Sequence, residues 1–201
     1  MTPMLIETTI LGLLIAVVSN RWHHLVENVK IKGVWLPFLA FVVEAGIQIA
    51  LNRGSDDLRG LIFDYELTLM VLVYSLLVAF FALNLKTPGV AMLLVGVVLN
   101  MIVIFSNNGK MPVDIDMAVS YGFTHTAQQL KSGLVFGHSA INAETTKLAF
   151  LADILHLRPP YPMPKSVSLG DLVMDVGVLM VFVLNLRENP NALEEEETHV
   201  Y

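Results

Sequence analysis

Residues 90–116 read VAMLLVGVVLNMIVIFSNNGKMPVDID and join a long apolar run to a polar cluster. The apolar run approaches the roughly 20 residues that a helix needs to cross a bilayer core about 30 Å thick. Asn107, Asn108 and Gly109 follow it, and such residues favour a left-handed cap at the carboxyl end of a helix. Pro112 then prevents the helix from continuing. The stretch therefore predicts a transmembrane helix that ends in a capped, polar turn.

The composition of the whole chain agrees with this prediction. Of the 201 residues, 55% are hydrophobic and only 15% are charged, and the mean hydropathy is +0.65. These values are too apolar for an ordinary water-soluble domain. We therefore predict an all-α, polytopic membrane protein with about five transmembrane helices. The predicted spans lie near residues 4–19, 34–51, 67–85, 90–105 and 172–186.

The segment between the last two spans is too long to be only a connection. Residues 106–168 are therefore expected to be structured, with short amphipathic helices in 116–136 and 143–155, where apolar residues recur at helical spacing. The whole of 1–188 is predicted to be one integral membrane domain. Residues 189–201 are strongly acidic and read as a disordered tail.

The basic residues of the short loops predict the orientation, because such residues favour the cytoplasmic side. Arg21, Lys30 and Lys32 follow the first span, whereas Arg53 and Arg59 follow the second among several acidic residues. This balance places the amino terminus and the long loop outside and the carboxyl terminus in the cytoplasm. The expected location is the cytoplasmic membrane of a bacterium.

Several classes of function lack their sequence signals. The chain has no cysteine, which excludes disulfides and thiolate metal sites, and it has no basic cluster for nucleic acid. No P-loop, GxGxxG or GxSxG motif is present. All histidines lie in loops or the tail, which disfavours membrane haem. We expect no cofactor and no metal ion, although His138, His156 and Asp153 leave a zinc site as a minor alternative.

Polar side chains inside the predicted spans are candidates for function, because they are costly in a bilayer unless they are paired or hydrated. Glu44 lies in the middle of the second span, Gln48 follows one turn later, and Asn100 lies in the fourth span. Hydrogen bonds of Glu44 to Gln48 or Asn100 would join helices. A proton relay or a substrate contact at Glu44 is the alternative.

A second polar group gathers at the outer face on the predicted topology. Its members are Asn107, Asn108, Lys110, Asp153, Asp171 and Asp175. Two of these carboxyls sharing one proton could activate a water molecule, one as a base and the other as an acid. The structural alternative is that Asp171 caps its helix after Ser168, while Asp153 lies on the surface and Asp175 pairs with a polar neighbour.

Several segments together resemble a known family. NNGKMPV, ETTKLAFLADILHL and SLGDLVMDVG, with KIKGVWLPFLAFVVEAGIQ earlier, are similar to bacterial membrane proteins grouped as domain-of-unknown-function family 5317. The resemblance covers nearly the whole chain. It implies a five-helix membrane protein and implies no activity.

A weaker resemblance is to signal peptidase II, the membrane aspartic peptidase of lipoproteins. Asp153 in LADIL and Asp171 in LGDL follow the order of its two catalytic aspartates. Ile154 stands where that family has arginine, Gly170 stands where it has alanine, and five spans are predicted instead of four. The resemblance implies catalytic roles for Asp153 and Asp171 in a hydrolase that acts on a lipid-linked substrate.

These observations favour an integral membrane protein that binds a lipid headgroup or a partner subunit through its outer loop. The expected partners are membrane lipids and another membrane protein or a second copy of the chain. An aspartic-type hydrolase that uses Asp153 and Asp171 is one alternative, and a proton-coupled or transport role through Glu44 is another.

Overall fold

The computed structural model describes residues 3–120, 124–158, 160–161 and 164–186, and this part of the chain is mostly helical. The predicted acidic tail, 189–201, lies outside the described residues. The helices are α1 Pro3–Val18, α2 Trp22–Asn28, α3 Trp35–Arg53, α4 Asp56–Asp64, α5 Glu66–Leu83, α6 Val90–Ser106, α7 Asp116–Ser120, α8 Thr124–Lys131 and α9 Leu169–Asn185.

The five segments predicted to cross the membrane all form helices, namely α1, α3, α5, α6 and α9. Two of them, α3 and α5, are long and apolar enough to do so by length and composition. A third span results if Leu5–Val18 and Trp22–Asn28, which meet at a bend of 116°, are counted together. The apolar helix α6 is shorter, with 17 residues.

The outward faces of these helices carry large apolar side chains. Val18 is 84% exposed, Phe38 67% and Phe41 66%. A water-soluble protein rarely exposes so much contiguous apolar surface. The helices are therefore compatible with insertion into a membrane.

The helices pack in the spatial order α1, α9, α6, α5 and α3. The closest approach is between α6 and α9, where a Cβ at Gly96 would lie only 2.6 Å from the carbonyl oxygen of Gly170. Buried apolar residues from α3, α5, α6 and α9 fill the space between the helices, including Ala40, Leu77 and Val97.

One end of the bundle is closed by asparagine side chains, and we call it the amide end (Asn28, Asn84, Asn185). Asn84 Oδ1 accepts from the backbone N–H of Lys32 at 2.7 Å, and its Nδ2 donates to the carbonyl oxygen of Lys32 at 2.9 Å. Asn28 Nδ2 donates to the carbonyl oxygen of Asn185 at 3.0 Å. Asn185 Nδ2 in turn donates to the carbonyl oxygen of Pro88 at 3.3 Å.

At the opposite end, which we call the loop end, the described residues between 107 and 168 form a folded segment. Strand β1, Met111–Val113, pairs in parallel with β2, His138–Ala140, and β3, Leu155–Leu157, pairs antiparallel with β4, Lys165–Val167. These short strands correct the all-α prediction for this segment, while α7 and α8 confirm helices within 116–136.

The amphipathic helix predicted within 143–155 is wrong. Only Ala149–Leu151 is helical there, as a single 3₁₀ turn. Leu148 has a φ of +53°, which an α-helix does not accept, and the backbone of Asp153 pairs with β1 through the carbonyl oxygen of Pro112 at 2.9 Å. Pairing with a distant strand thus overrides the local helical pattern.

Candidate ligand-binding site

A cavity of about 100 Å³ lies inside the bundle at the loop end. We call it the central cavity. Apolar side chains such as Leu77, Val97 and Met174 form much of its wall. Six polar residues also line it: Glu44, Tyr74, Asn100, His138, Asp153 and Asp171.

The folded loop covers the central cavity. Met111 of β1, the turn from Phe136 to His138, and Asp153 all line it from that side, and we call residues 111–113, 136–140 and 153 the roof. An isolated bridge between Val113 and Asp153 joins two parts of the roof. The cavity is therefore bounded by helices on its sides and by the loop above.

Asp171 is held by hydrogen bonds from three directions. Its Oδ2 accepts from the backbone N–H of Ser168 at 3.1 Å, and Ser168 Oγ accepts from the backbone N–H of Asp171 at 2.9 Å. These two bonds form the capping box that begins α9. Asp171 Oδ1 accepts from Asn100 Nδ2 at 3.0 Å, and Ser168 Oγ donates to Asn100 Oδ1 at 2.9 Å.

Asp171 and Asn100 therefore use their polar atoms to bind α9 to α6. The sequence predicted the cap at Ser168, and it named Asn100 as a possible partner of Glu44 but not of Asp171. It did not indicate that one network would serve both purposes.

The surroundings of the Asp153 side chain differ from those of Asp171. Its side chain is only 7% exposed, and its Oδ1 is buried without a hydrogen-bond partner among the residues described. Burial, and to a smaller extent the charge of Asp171, raise the pKa of Asp153 to about 8, although the positive charge of the amino terminus opposes the shift. At pH 7 the carboxyl is therefore mostly protonated, so it can donate a hydrogen bond inside an apolar wall. The alternative prediction that Asp153 lies on the surface is therefore wrong.

His138 borders the cavity beside the turn from Phe136. Burial lowers the pKa of His138, although the carbonyl oxygen of Phe136 and the charges of Asp171 and Glu44 oppose this shift. His138 Nδ1 lies 3.4 Å from that carbonyl oxygen. The ring is thus neutral at pH 7 and adds no positive charge to the site.

A buried ion pair fixes the roof to α5. Glu66 is 4% exposed, and its Oε1 accepts from the backbone N–H of Gly137 at 2.6 Å. Its Oε2 lies 3.3 Å from Lys110 Nζ, which also donates to the carbonyl oxygen of Gly133 at 3.4 Å. Lys110 therefore joins the roof to the helix and does not line the cavity.

The two asparagines that follow α6 belong to the backbone structure of the loop end. Asn107 Nδ2 donates to the carbonyl oxygen of Lys147 at 2.9 Å, and its Oδ1 accepts from the backbone N–H of Lys147 at 2.9 Å. Asn108 has a φ of +56° at the helix end. Neither residue lines the central cavity.

Asp175 lies outside the cavity wall and faces α1. Its Oδ1 accepts from Thr8 Oγ1 at 2.9 Å, while its Oδ2 is buried without a partner among the residues described. On the same helix as Thr8, Glu7 accepts from Lys165 Nζ at 2.9 Å and from the hydroxyl of Tyr161. Asp175 thus belongs to a separate polar contact between α1 and α9.

The remaining predicted residues divide between the cavity and the surface. Glu44 lines the cavity, whereas Gln48, one turn later, is exposed. His156 Nε2 lies 3.2 Å from Asp114 Oδ2 and its Nδ1 lies 3.0 Å from Ser166 Oγ. Within the described ranges, no group of three or more His, Asp or Glu side chains is placed to hold a metal ion.

Three residues beyond the two predicted polar groups shape the site, and of these the sequence offered His138 only as a ligand in the minor zinc alternative. Tyr74 and His138 line the cavity, and Glu66 holds its roof. Tyr74 and Glu66 were detectable in principle, since each is a polar side chain in or at the edge of an apolar run. The position of His138 depends on how the long loop folds, for which the sequence has no local signal.

Comparison with known proteins gives a family and one relative. A sequence model described as "Family of unknown function (DUF5317)" matches residues 28–183. An uncharacterized protein of Thermotoga maritima is 26% identical over 184 residues, which cover 92% of this chain and 93% of that protein. No solved structure matches the chain. These matches agree with the first resemblance and give no support to the likeness to signal peptidase II.

Proposed function

The chain belongs to the family of unknown function DUF5317. We propose that it binds the polar end of a membrane amphiphile in the central cavity. The observation that carries the proposal is the carboxyl of Asp153, which is buried in the cavity wall and whose Oδ1 has no partner among the residues that the structure describes. Buried polar atoms normally have partners, so a ligand that supplies one accounts for this exception. A mostly apolar wall with a few convergent polar groups is typical of ligand sites.

The proposal includes five membrane-spanning helices in a bacterial cytoplasmic membrane. The path of the chain supports this number of spans, because α1, α3, α5, α6 and α9 each run between the loop end and the amide end. At about 25 Å, α6 is slightly shorter than the bilayer core, and a small mismatch of this kind costs little. The loop end faces outside on the charge balance of the short loops. A partner subunit or a second copy of the chain stays a prediction.

Single-cysteine labelling tests the orientation, since the chain has no cysteine of its own. The variant Glu144→Cys places a thiol on the exposed long loop, and Lys86→Cys places one between α5 and α6. A membrane-impermeant maleimide should label the first variant in intact cells and the second only after permeabilisation. The reverse pattern would overturn the sidedness. Labelling of both from one side would overturn the span at α6.

Ligand occupancy is tested by native mass spectrometry of the purified protein. Val97 is 2% exposed and lines the cavity, so Val97→Phe should remove a bound amphiphile by filling its site. Val95 lies on the same helix but is 49% exposed, so Val95→Phe is the matched control. Ile47→Phe fills the cavity from α3 if Val97→Phe does not fold. Equal occupancy in the filled and control variants would contradict the proposal.

Hydrolysis by the two aspartates is the second candidate. It is favoured because Asp153 and Asp171 line one cavity and the charge of Asp171 acts on the pKa of Asp153. The bonds that Asp171 accepts from Asn100 and Ser168 weigh against it, because they leave this carboxylate little freedom. Hydrolysis would require both aspartates, so Asp153→Asn and Asp171→Asn should each abolish turnover of a lipid-linked peptide, whereas binding alone requires Asp153.

A further inference from the structure

We propose that the group bound in the central cavity is a small alkylammonium cation, and that it takes the place of the proton on Asp153. This inference rests on the proposed function and deepens it by naming the chemistry of the ligand. The cation is either a free amine or the amino end of an amphiphile, and the experiment below distinguishes these sources.

The charges of the wall exclude an anionic ligand. The acidic side chains of the wall are Glu44, Asp153 and Asp171, and no lysine or arginine is among the lining residues that the structure describes. Lys110, which precedes the roof, is already paired with Glu66. A phosphate or carboxylate would therefore enter a field of its own sign, whereas a cation would be attracted.

The volume of the cavity and the aromatic side chains in its wall fit a small organic cation. About 100 Å³ has room for roughly three groups of the volume of a water molecule, which corresponds to an ammonium and a short alkyl stem. The rings of Tyr74 and Phe136 line the same space. Aromatic faces attract cations, and the methyl groups of Leu77 and Val97 can contact the stem.

Asp153 is the only acid of the described wall with an unpartnered buried oxygen. Asp171 is engaged by Asn100 and Ser168, and Glu44 is half-buried on α3. The other titratable groups of the wall are Tyr74 and the neutral His138, and the amino terminus of the chain also acts on Asp153, because its positive charge lowers the pKa of that carboxyl. On the strand side, Asp114 is paired with His156.

The exchange balances in atoms and charge. The ammonium enters with its positive charge, the O–H bond of the Asp153 carboxyl breaks, and the proton leaves to solvent. The new pair is a carboxylate and an ammonium, which avoids an unpaired buried charge at every stage of occupancy. The net charge of the cavity is the same before and after binding.

This exchange predicts a specific pH dependence. Because the pKa of Asp153 lies at about 8, the proton competes with the cation below that pH. The affinity should rise about tenfold per pH unit up to about pH 8 and then level off. At pH 7 each bound cation should release about one proton.

Titration calorimetry of the purified protein in detergent measures both quantities. n-Propylammonium is the free cation, dodecylammonium presents the same group on an amphiphile, and butyrate and propanol are the anionic and neutral probes. Repeating the titration at pH 7 in buffers with different ionisation enthalpies counts the released protons. Binding of n-propylammonium supports a free amine, and binding of dodecylammonium alone supports an amphiphile.

Asp153→Asn should remove the proton release and the pH slope, while Asp175→Asn, outside the cavity, should keep both. If Asp153→Asn does not fold, the pH dependence of the affinity of the unsubstituted protein still tests the exchange, because a flat profile would overturn it. Binding of butyrate or propanol without proton release would overturn the exchange and leave the ligand site standing. Absence of binding by every probe, together with equal amphiphile occupancy in the Val97→Phe and Val95→Phe variants, would overturn both proposals.

Discussion

The two ends of the helix bundle are built from different chemistry. At the amide end, neutral side chains such as Asn84 and Asn185 bond to the backbone of neighbouring segments. At the loop end, Glu66 bonds to the roof, Asp171 bonds to the neighbouring helix α6, and Asp153 has a buried oxygen with no partner in the described part of the chain. A neutral, paired amide costs little to bury, whereas a carboxyl is costly unless it is protonated or paired. The amide end is therefore a structural contact, and the loop end is where we propose that a ligand binds.

The largest effect is expected from breaking the ion pair that holds the roof. Glu66→Gln removes the negative charge beside Lys110, whose side chain is 24% exposed, and should lower the free energy of unfolding by about 2 kcal/mol. Thermal and denaturant unfolding in detergent measure this loss.

The control for this change is an exposed pair on α4. Asp56 Oδ1 lies 3.1 Å from Arg59 Nη1, and the Asp56 side chain is almost fully exposed. Asp56→Asn should therefore change the free energy of unfolding by less than about 1 kcal/mol. Equal losses in the two variants would mean that the loop end does not depend on its buried charge.

A smaller effect is expected from pH. The pKa of Asp153 is about 8 in the folded protein and about 3.9 in an unfolded chain. Between these values the folded state holds more protons, so its stability should fall as the pH rises, by at most about 1.4 kcal/mol per unit, and level off above about pH 8. Below about pH 4 this destabilisation disappears.

Unfolding measured from pH 6.5 to 8 checks this slope. His138, whose pKa is lowered, affects stability only at lower pH, where its destabilising effect appears as the pH falls below about 6.5. Asp153→Asn should flatten the curve. Parallel curves for the variant and the unchanged protein would show that Asp153 titrates normally.

The smallest effects compare one asparagine from each end. Asn84→Ala and Asn107→Ala each remove bonds to a neighbouring segment and should cost about 1 kcal/mol. Only Asn107→Ala should expose the chain near Lys147 to limited proteolysis. Faster cleavage at that site in Asn84→Ala would mean that the two ends are not independent.

The helices could be predicted from the sequence because apolar length is a local property. The bounds predicted for α3 and α6 fall within two residues of the observed ones. The cap at Ser168 is also local, since both of its partners lie within one turn. The loop end was less predictable, because β1 pairs with β2 across about 25 residues and the backbone of Asp153 pairs with Pro112 over about 40.

The site was hard to predict for the same reason, because it is formed by residues that are distant in the sequence. Asp153 and Asp171 were singled out from the sequence, but their different surroundings were not, because these are set by the loop and by Asn100 on another helix. Gln48 was expected beside Glu44, and the packing of α3 leaves it exposed.

The close approach of α6 and α9 has a consequence for the route by which a ligand reaches the cavity. Gly96 and Gly170 bring the two backbones together, and the bond from Asn100 to Asp171 pins them at that level. Helices joined in this way move as one body, so they do not part to admit a ligand. Entry between α6 and α9 is therefore closed, and a ligand has to reach the cavity past the roof or between other helices, such as α1 and α3, which both line it.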